Sequence, residues 1–210
     1  MLCSSCSCEV KPVVAFDIDG VLGDYHSHFT AFCLNYWQHA TLRSQPYDGS
    51  MEFEEWLGLT KIEYREAKLA YRQGGFKRWL PIYPGAVEAV RTVRDAGCDV
   101  WIATTRPWQL LNNIDPDTRE WLRRHSIRYD GLLYGDDKYR QLCESVDPDR
   151  IIAVVDDLSV QCGLAEKDGL KAFQVERPHN AADRVNASGT LEEITSWIHN
   201  MIFLWRRKYA

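Results

Sequence analysis

Two aspartates one residue apart, in Asp17-Ile18-Asp19-Gly20, follow directly on the apolar run Val13 to Phe16. An unbroken apolar run of that length reads as a strand buried on both faces of a parallel sheet, so both carboxylates stand at its carboxyl end. Ligands bind at that edge of an open α/β sheet. Alternation along an extended chain points Asp17 and Asp19 to one side, and Gly20 lets the backbone turn away sharply. Carboxylates so close repel unless a cation lies between them, and magnesium, a hard ion preferring oxygen, suits the pair. Three further segments bring reactive side chains to strand ends. Asp99 to Thr104 ends in the hydroxyls of Thr104 and Thr105, with Arg106 next. Gly135-Asp-Asp-Lys138 follows a short strand within Tyr129 to Tyr134. Ile151 to Val155 runs into Asp156-Asp157, a second carboxylate pair.

Strands alternating with helices give a parallel, doubly wound sheet, and that arrangement carries Asp17, Asp19, Thr104, Asp156 and Asp157 to a common edge. Between strands, Ala86 to Ala96 has valines at helical spacing before Gly97. Asp115-Pro116 reads as an N-cap and first turn of a helix carrying Trp121 and Leu122, and Leu158 to Asp168 closes at Gly169. Leu170 to Val175 reads as a fifth strand, and Thr190-Leu-Glu-Glu193 as a capping box opening a last amphipathic helix. Residues 23–80 interrupt this alternation with intermingled aromatic and charged residues and helical periodicity, the pattern of a small cap over the active edge. The expected organisation is an α/β core over 9–22 and 81–205, a helical cap over 23–80 and a cysteine-rich tail over 1–8.

The chain has 210 residues, 45% of them hydrophobic, enough for one core plus an insertion. A net charge of -5 argues against a general nucleic-acid coat or a membrane-surface protein and favours small-molecule chemistry. No apolar run approaches the length of a membrane helix, and Met1 to Lys11 lacks a basic region and a hydrophobic signal core, so the sequence reads as cytoplasmic. Seven cysteines at irregular spacing make a poor disulfide framework and read as reduced thiols. Cys3, Cys6 and Cys8 offer three thiolates to zinc, but a closed structural site needs four ligands.

The four ordered segments together resemble the haloacid dehalogenase superfamily of phosphohydrolases. That resemblance implies a Rossmann-like core and a magnesium ion on Asp17, the Asp19 carbonyl and Asp156, with Asp157 in support. It implies Asp17 as the nucleophile that becomes an aspartyl-phosphate, Asp19 as general acid and base, and Lys138 bridging Asp17 and the phosphate. Thr104, Thr105 and Arg106 would hold phosphate oxygens. Asp17-Ile-Asp-Gly-Val-Leu-Gly-Asp-Tyr25 and Leu80-Pro-Ile-Tyr-Pro-Gly-Ala-Val-Glu-Ala-Val90 look like the 5'(3')-deoxyribonucleotidases. In that family an aromatic at the place of Tyr25 and a cap tryptophan, matched here by Trp56, line the base pocket. The arginine in Ala103-Thr-Thr-Arg106-Pro107 departs from that family and resembles the 3'-phosphatase domain of phage polynucleotide kinase. No phosphate-binding Gly-x-x-x-x-Gly-Lys-Ser/Thr loop exists in the chain, so the kinase half is missing.

The expectation is therefore a magnesium-dependent phosphomonoesterase acting on a small phosphomonoester, a nucleoside monophosphate, with no membrane partner and with a homodimer left open. The rival readings are a 3'-phosphatase acting on nucleic-acid ends and a non-catalytic nucleotide-binding module on the same scaffold. Arg106 has two readings of its own, a bidentate clamp on a substrate phosphate or a partner for an acidic neighbour.

Overall fold

The computed structural model describes residues 10–37, 47–107, 109–185 and 187–209. Six strands form one sheet: β1 (Val13–Phe16), β2 (Asp99–Thr104), β3 (Gly131–Tyr134), β4 (Ile151–Asp156), β5 (Ala172–Val175) and β6 (Ser188–Gly189). Their order is β3-β2-β1-β4-β5-β6, and every pairing is parallel, as the alternation of elements requires. β1 and β4 are buried along their whole length because helices cover both sheet faces. Successive β1 side chains serve the two cores in turn, Val14 and Phe16 on one face, Val13 and Ala15 on the other. The order reverses direction between β1 and β4, and a sheet of this kind opens a crevice at the carboxyl ends of those two strands.

The chain between β1 and β2 first forms α1 (Tyr25–Tyr36), α2 (Phe53–Trp56), α3 (Lys61–Gln73) and a 3-10 turn (Phe76–Trp79). Thr60 and Glu63 cap α3 reciprocally, the Glu63 carboxylate accepting from the Thr60 amide at 2.7 Å. These helices bury a separate aromatic core that includes Phe29, Phe32, Phe53, Trp56 and Tyr71. The insertion is tied to the main body by an ion pair from Arg78 to the fully buried Asp117 and by the Trp121 indole, which donates to the Leu80 carbonyl at 2.6 Å.

Five more helices complete the layers: α4 (Ala86–Asp95), α5 (Ile114–Arg124), α6 (Lys138–Ser145), α7 (Ser159–Lys167) and α8 (Leu191–Tyr209). α8 opens at the expected box, with the Glu193 carboxylate accepting from the Thr190 amide at 2.8 Å. α5 departs from expectation. It starts one residue before Asp115, which instead pairs with Arg119 and accepts from the Tyr134 hydroxyl, while Pro116 sits in the first turn, where no backbone donor is needed. The short β6 was not legible as a strand, since two residues carry no alternation to read. Among the described residues the cysteines are free, and no helix is long and apolar enough to cross a membrane. Cys3, Cys6 and Cys8 lie outside the described residues.

Candidate active site

The turn after β1 sets the site. The Gly20 amide donates to the Gly23 carbonyl at 2.8 Å, and Gly20 itself has φ +95°. A Cβ at Gly20 would run into the Asp157 carboxylate, so only glycine lets β1 and β4 present their carboxylates side by side. Asp17, Asp156 and Asp157 each place an oxygen within 4.8 Å of the others, and all three are buried. One ammonium serves two of the three carboxylates: Lys138, the first residue of α6, lies 2.8 Å from Asp17 and 2.6 Å from Asp156.

The two acids of the second pair are used differently. One Asp156 oxygen is shared by Lys138 and the Tyr139 hydroxyl, at 2.6 Å each, and the other accepts from the Leu158 amide at 3.0 Å. Asp157 Oδ2 is hydrogen-bonded to His179 Nε2 at 2.6 Å, but its Oδ1 is buried with no partner among the described residues. A buried carboxylate oxygen left open beside Asp17 is costly unless something outside the chain meets it. The donors are all oxygens and carry an excess of negative charge, which fits a hard divalent cation such as magnesium. The open atom shifts the best second ligand from Asp156, whose oxygens the protein already occupies, to Asp157.

Burial drives the Asp17 carboxyl up; Lys138 opposes this while Asp156, Asp157 and Asp19 add to it, leaving it pushed up to about 8. The folded protein therefore holds this proton more tightly than the unfolded chain, whose ordinary value is 3.8. The resulting stability is fully present below that ordinary value and is lost as pH rises through about 8. The metal-free protein should accordingly lose melting temperature between about pH 5 and about pH 8 more steeply than Asp17→Asn does. Magnesium at a hundred times its dissociation constant should restore about 2.7 kcal/mol at the upper end of that range. Thermal unfolding with magnesium and with EDTA checks both, and equal slopes for the two proteins would reject the assignment.

Asp19 faces a different environment. Arg106 donates from two nitrogens, one to each Asp19 oxygen, at 2.7 and 3.3 Å, and Lys77, from the 3-10 turn of the insertion, pairs with the Oδ2 that the Arg106 Nε also reaches. Burial alone would raise the Asp19 carboxyl, but the two cations outweigh it and hold the group well below the usual carboxylate range. Burial pulls the Lys77 ammonium down to about 7, against the pull of Asp19.

Of the residues singled out from the sequence, Asp17, Asp19, Lys138 and Asp157 line one cleft of about 210 Å³ together with Tyr25, Thr105 and Arg106. Asp156 stands behind Lys138. The Thr104 hydroxyl is at the end of β2, fully buried and without a partner among the described residues. Arg106, expected on a substrate phosphate, is committed to Asp19 and to the Thr118 hydroxyl at 3.0 Å, so the acidic-neighbour alternative describes it. Trp56 is corrected outright: it packs in the aromatic core of the insertion against Phe53 and Tyr47, and does not line the cleft. The Tyr25 ring is half-buried in the cleft wall, with Lys77 Nζ 4.0 Å from its centre.

Sequence reasoning missed Lys77, Tyr139, His26 and His179. His26 and His179 stack with centroids 3.9 Å apart, and burial, with His179 adding, lowers the His26 imidazole well below its ordinary value. His179 was findable, because Arg177-Pro178-His179 follows the carboxyl end of β5 and so obeys the strand-end rule applied to the other motifs. Lys77 and Tyr139 carried no comparable local signal.

A family model described as haloacid dehalogenase-like hydrolase matches residues 11–165. No curated protein matches the chain. Among solved structures, protein tyrosine kinase A of Mycobacterium tuberculosis superposes with a TM-score of 0.67 at 18% identity, over 90% of this chain and 99% of its own. A haloacid dehalogenase family hydrolase from Deinococcus radiodurans with bound phosphate and sodium gives 0.64 at 16% identity, covering 91% and 96%. A predicted phosphatase from Clostridium acetobutylicum gives 0.62 at 18%, covering 91% and 99%. At these identities the likeness is one of fold.

Proposed function

Since the chain belongs to the haloacid dehalogenase-like hydrolases, we propose that it is a magnesium-dependent phosphomonoesterase working through an aspartyl-phosphate on Asp17, with a nucleotide as substrate. The observation that carries this reading is the buried Asp17 carboxylate held 2.8 Å from Lys138 at the mouth of the β1–β4 crevice, with the open oxygen of Asp157 beside it. Asp17, Asp157 and the backbone carbonyl of Asp19 would hold the metal, with Asp156 fixing Lys138 behind them. Bound there, magnesium would offset the excess negative charge and polarise phosphate oxygens.

In the first step an Asp17 oxygen attacks phosphorus, the bond from phosphorus to the ester oxygen breaks, and the leaving oxygen takes a proton. In the second, water attacks the same phosphorus as its bond to the Asp17 oxygen breaks, and the water proton returns through Asp19 to Lys77, giving inorganic phosphate and the free Asp17 carboxylate. Lys138 neutralises charge on Asp17 and on the transferring group in both steps, and Thr105 in the cleft wall, with the unpartnered Thr104 hydroxyl at the end of β2, would take the remaining phosphate oxygens. A carboxylate clasped by two cations is poorly placed as an acid. Asp19 therefore receives the proton for the leaving oxygen from Lys77, whose own affinity for it burial has weakened. The helices between 25 and 79 act as a cap that supplies Lys77 and Tyr25 and keeps water from the transfer.

A nucleotide is supported by the Tyr25 ring in the cleft wall and by the likeness of residues 17–25 and 80–90 to the deoxyribonucleotidases. The Deinococcus structure, which holds bound phosphate, supports phosphate as a ligand of proteins with this fold. Turnover across nucleoside monophosphates, sugar phosphates and phosphorylated oligonucleotides, with magnesium and with EDTA, tests the reading, alongside borohydride trapping of an acyl phosphate at Asp17 by mass spectrometry. Activity confined to sugar phosphates would end the nucleotide assignment, and full turnover in EDTA would end the metal's part.

A further inference from the structure

α3 carries Lys61, Arg65, Lys68 and Arg72 at spacings of four, three and four. At 3.6 residues per turn these fall within roughly 60° of one another, while Glu63 and Glu66 point to the far side. The helix buries a different face, through Ala67 and Tyr71. Lys68 and Arg72 reach into the active cleft, and all four cations line an adjoining surface depression of about 420 Å³, bordered also by Tyr64 and the single acid Glu54. The depression and the cleft thus share two residues and form one continuous cationic path. Among the described residues none of the four makes an ion pair, and the Lys68 ammonium lies over the Tyr64 ring at 4.9 Å. Like charges at these spacings destabilise a helix, and here they sit on a protein whose net charge is -5. A solvated helix face has no need to concentrate one sign against the sign of the whole molecule.

The path is too long for one extra phosphate. Eleven residues of helix separate Lys61 from Arg72, about 16 Å. We infer that α3 is a phosphate rail: the phosphomonoester in the cleft is the end of a single-stranded polynucleotide whose backbone phosphates lie along Arg72, Lys68, Arg65 and Lys61. Tyr64 borders the rail with its ring in edge contact with Phe29 and Phe53 and under Lys68, so the rail would hold a strand through its phosphates, without sequence readout. The inference rests on the phosphomonoesterase reading above and names the substrate class of the same site.

The test compares three probes: a nucleoside monophosphate, a nucleoside 3',5'-bisphosphate, and a short single-stranded oligonucleotide phosphorylated at one end, prepared in 3' and 5' forms. The variant is Lys61→Gln/Arg65→Gln, two exposed residues outside the cleft. One of the oligonucleotides should be preferred over the monophosphate by about tenfold or more in kcat/KM at low salt, and the variant should lose most of that preference. Because each lost contact to a single strand removes about 0.7 from the slope of log affinity against log salt, the double variant should flatten that slope by about 1.4. A bisphosphate as good as the oligonucleotide, no preference for the oligonucleotide, or an unaltered slope in the variant would each overturn the rail. Fluorescence anisotropy of the same strands on the Asp17→Asn protein, with and without the double variant, decides the rail even if no probe is hydrolysed. A protein that hydrolyses monophosphates but shows no preference loses the rail alone, and one that binds strands without hydrolysing anything loses the phosphatase reading alone.

Discussion

Asp17→Asn lowers kcat by about 10⁵-fold, to near background, because the amide keeps the shape of the side chain but has no oxygen able to form and release a phosphoryl ester. The same substitution leaves the metal-free fold intact or firmer. It removes one of three clustered buried carboxylates, one of the two that Lys138 pairs with, and Lys138 keeps Asp156 at 2.6 Å. Activity and stability should therefore move in opposite directions, and the stabilising effect of magnesium should shrink because one of its oxygen ligands is gone. Steady-state hydrolysis and thermal melts on one preparation read both. Retention of even a tenth of the activity would move the nucleophile elsewhere and dissolve the mechanism.

Lys138→Met carries the largest expected cost in stability, about 3 to 5 kcal/mol, since it leaves Asp17 and Asp156 without their buried cation. Burial disfavours the Lys138 ammonium, yet Asp156 and Asp17 outweigh burial and raise it above the ordinary lysine range. Its contribution is thus fully present at neutral pH and is lost only as pH rises beyond that range. Chemical denaturation near neutral pH measures the loss. The double variant Lys138→Met/Asp17→Asn should recover part of it, because the second change removes one of the stranded charges. If the two changes were simply additive, Lys138 and Asp17 would not form the coupled pair that the 2.8 Å contact describes. Hydrolysis should fall in the single variant too, as Lys138 is the side chain paired with the Asp17 nucleophile.

The sequence determined the sheet's chemistry because strand ends are local facts. An apolar run that stops at carboxylates, as Val13 to Phe16 stops at Asp17 and Ile151 to Val155 stops at Asp156, declares both a buried parallel strand and the edge where its polar terminus emerges. The hydroxyl pair after β2 and Lys138 after β3 followed the same logic. Element boundaries were less secure: α5 started ahead of its expected cap, and β6 was too short to show a period. Trp56 illustrates the limit from the other side, since an aromatic in a helical insertion reads alike whether it faces a ligand or its own core.

The tertiary structure alone decided how the charges are paired. Lys77 meets Asp19 across 58 residues of sequence, Arg106 meets it across 87, and His179 meets Asp157 across 22. Nothing in the sequence spacing distinguishes those contacts from others that do not form. Periodicity tells which face a side chain occupies within its own element, whereas ion pairing depends on which faces of remote elements are brought together. That choice follows from the packing of the whole chain, and it left Asp17 sharing one ammonium with Asp156, Asp19 clasped by two cations, and Asp157 on His179 with one oxygen open.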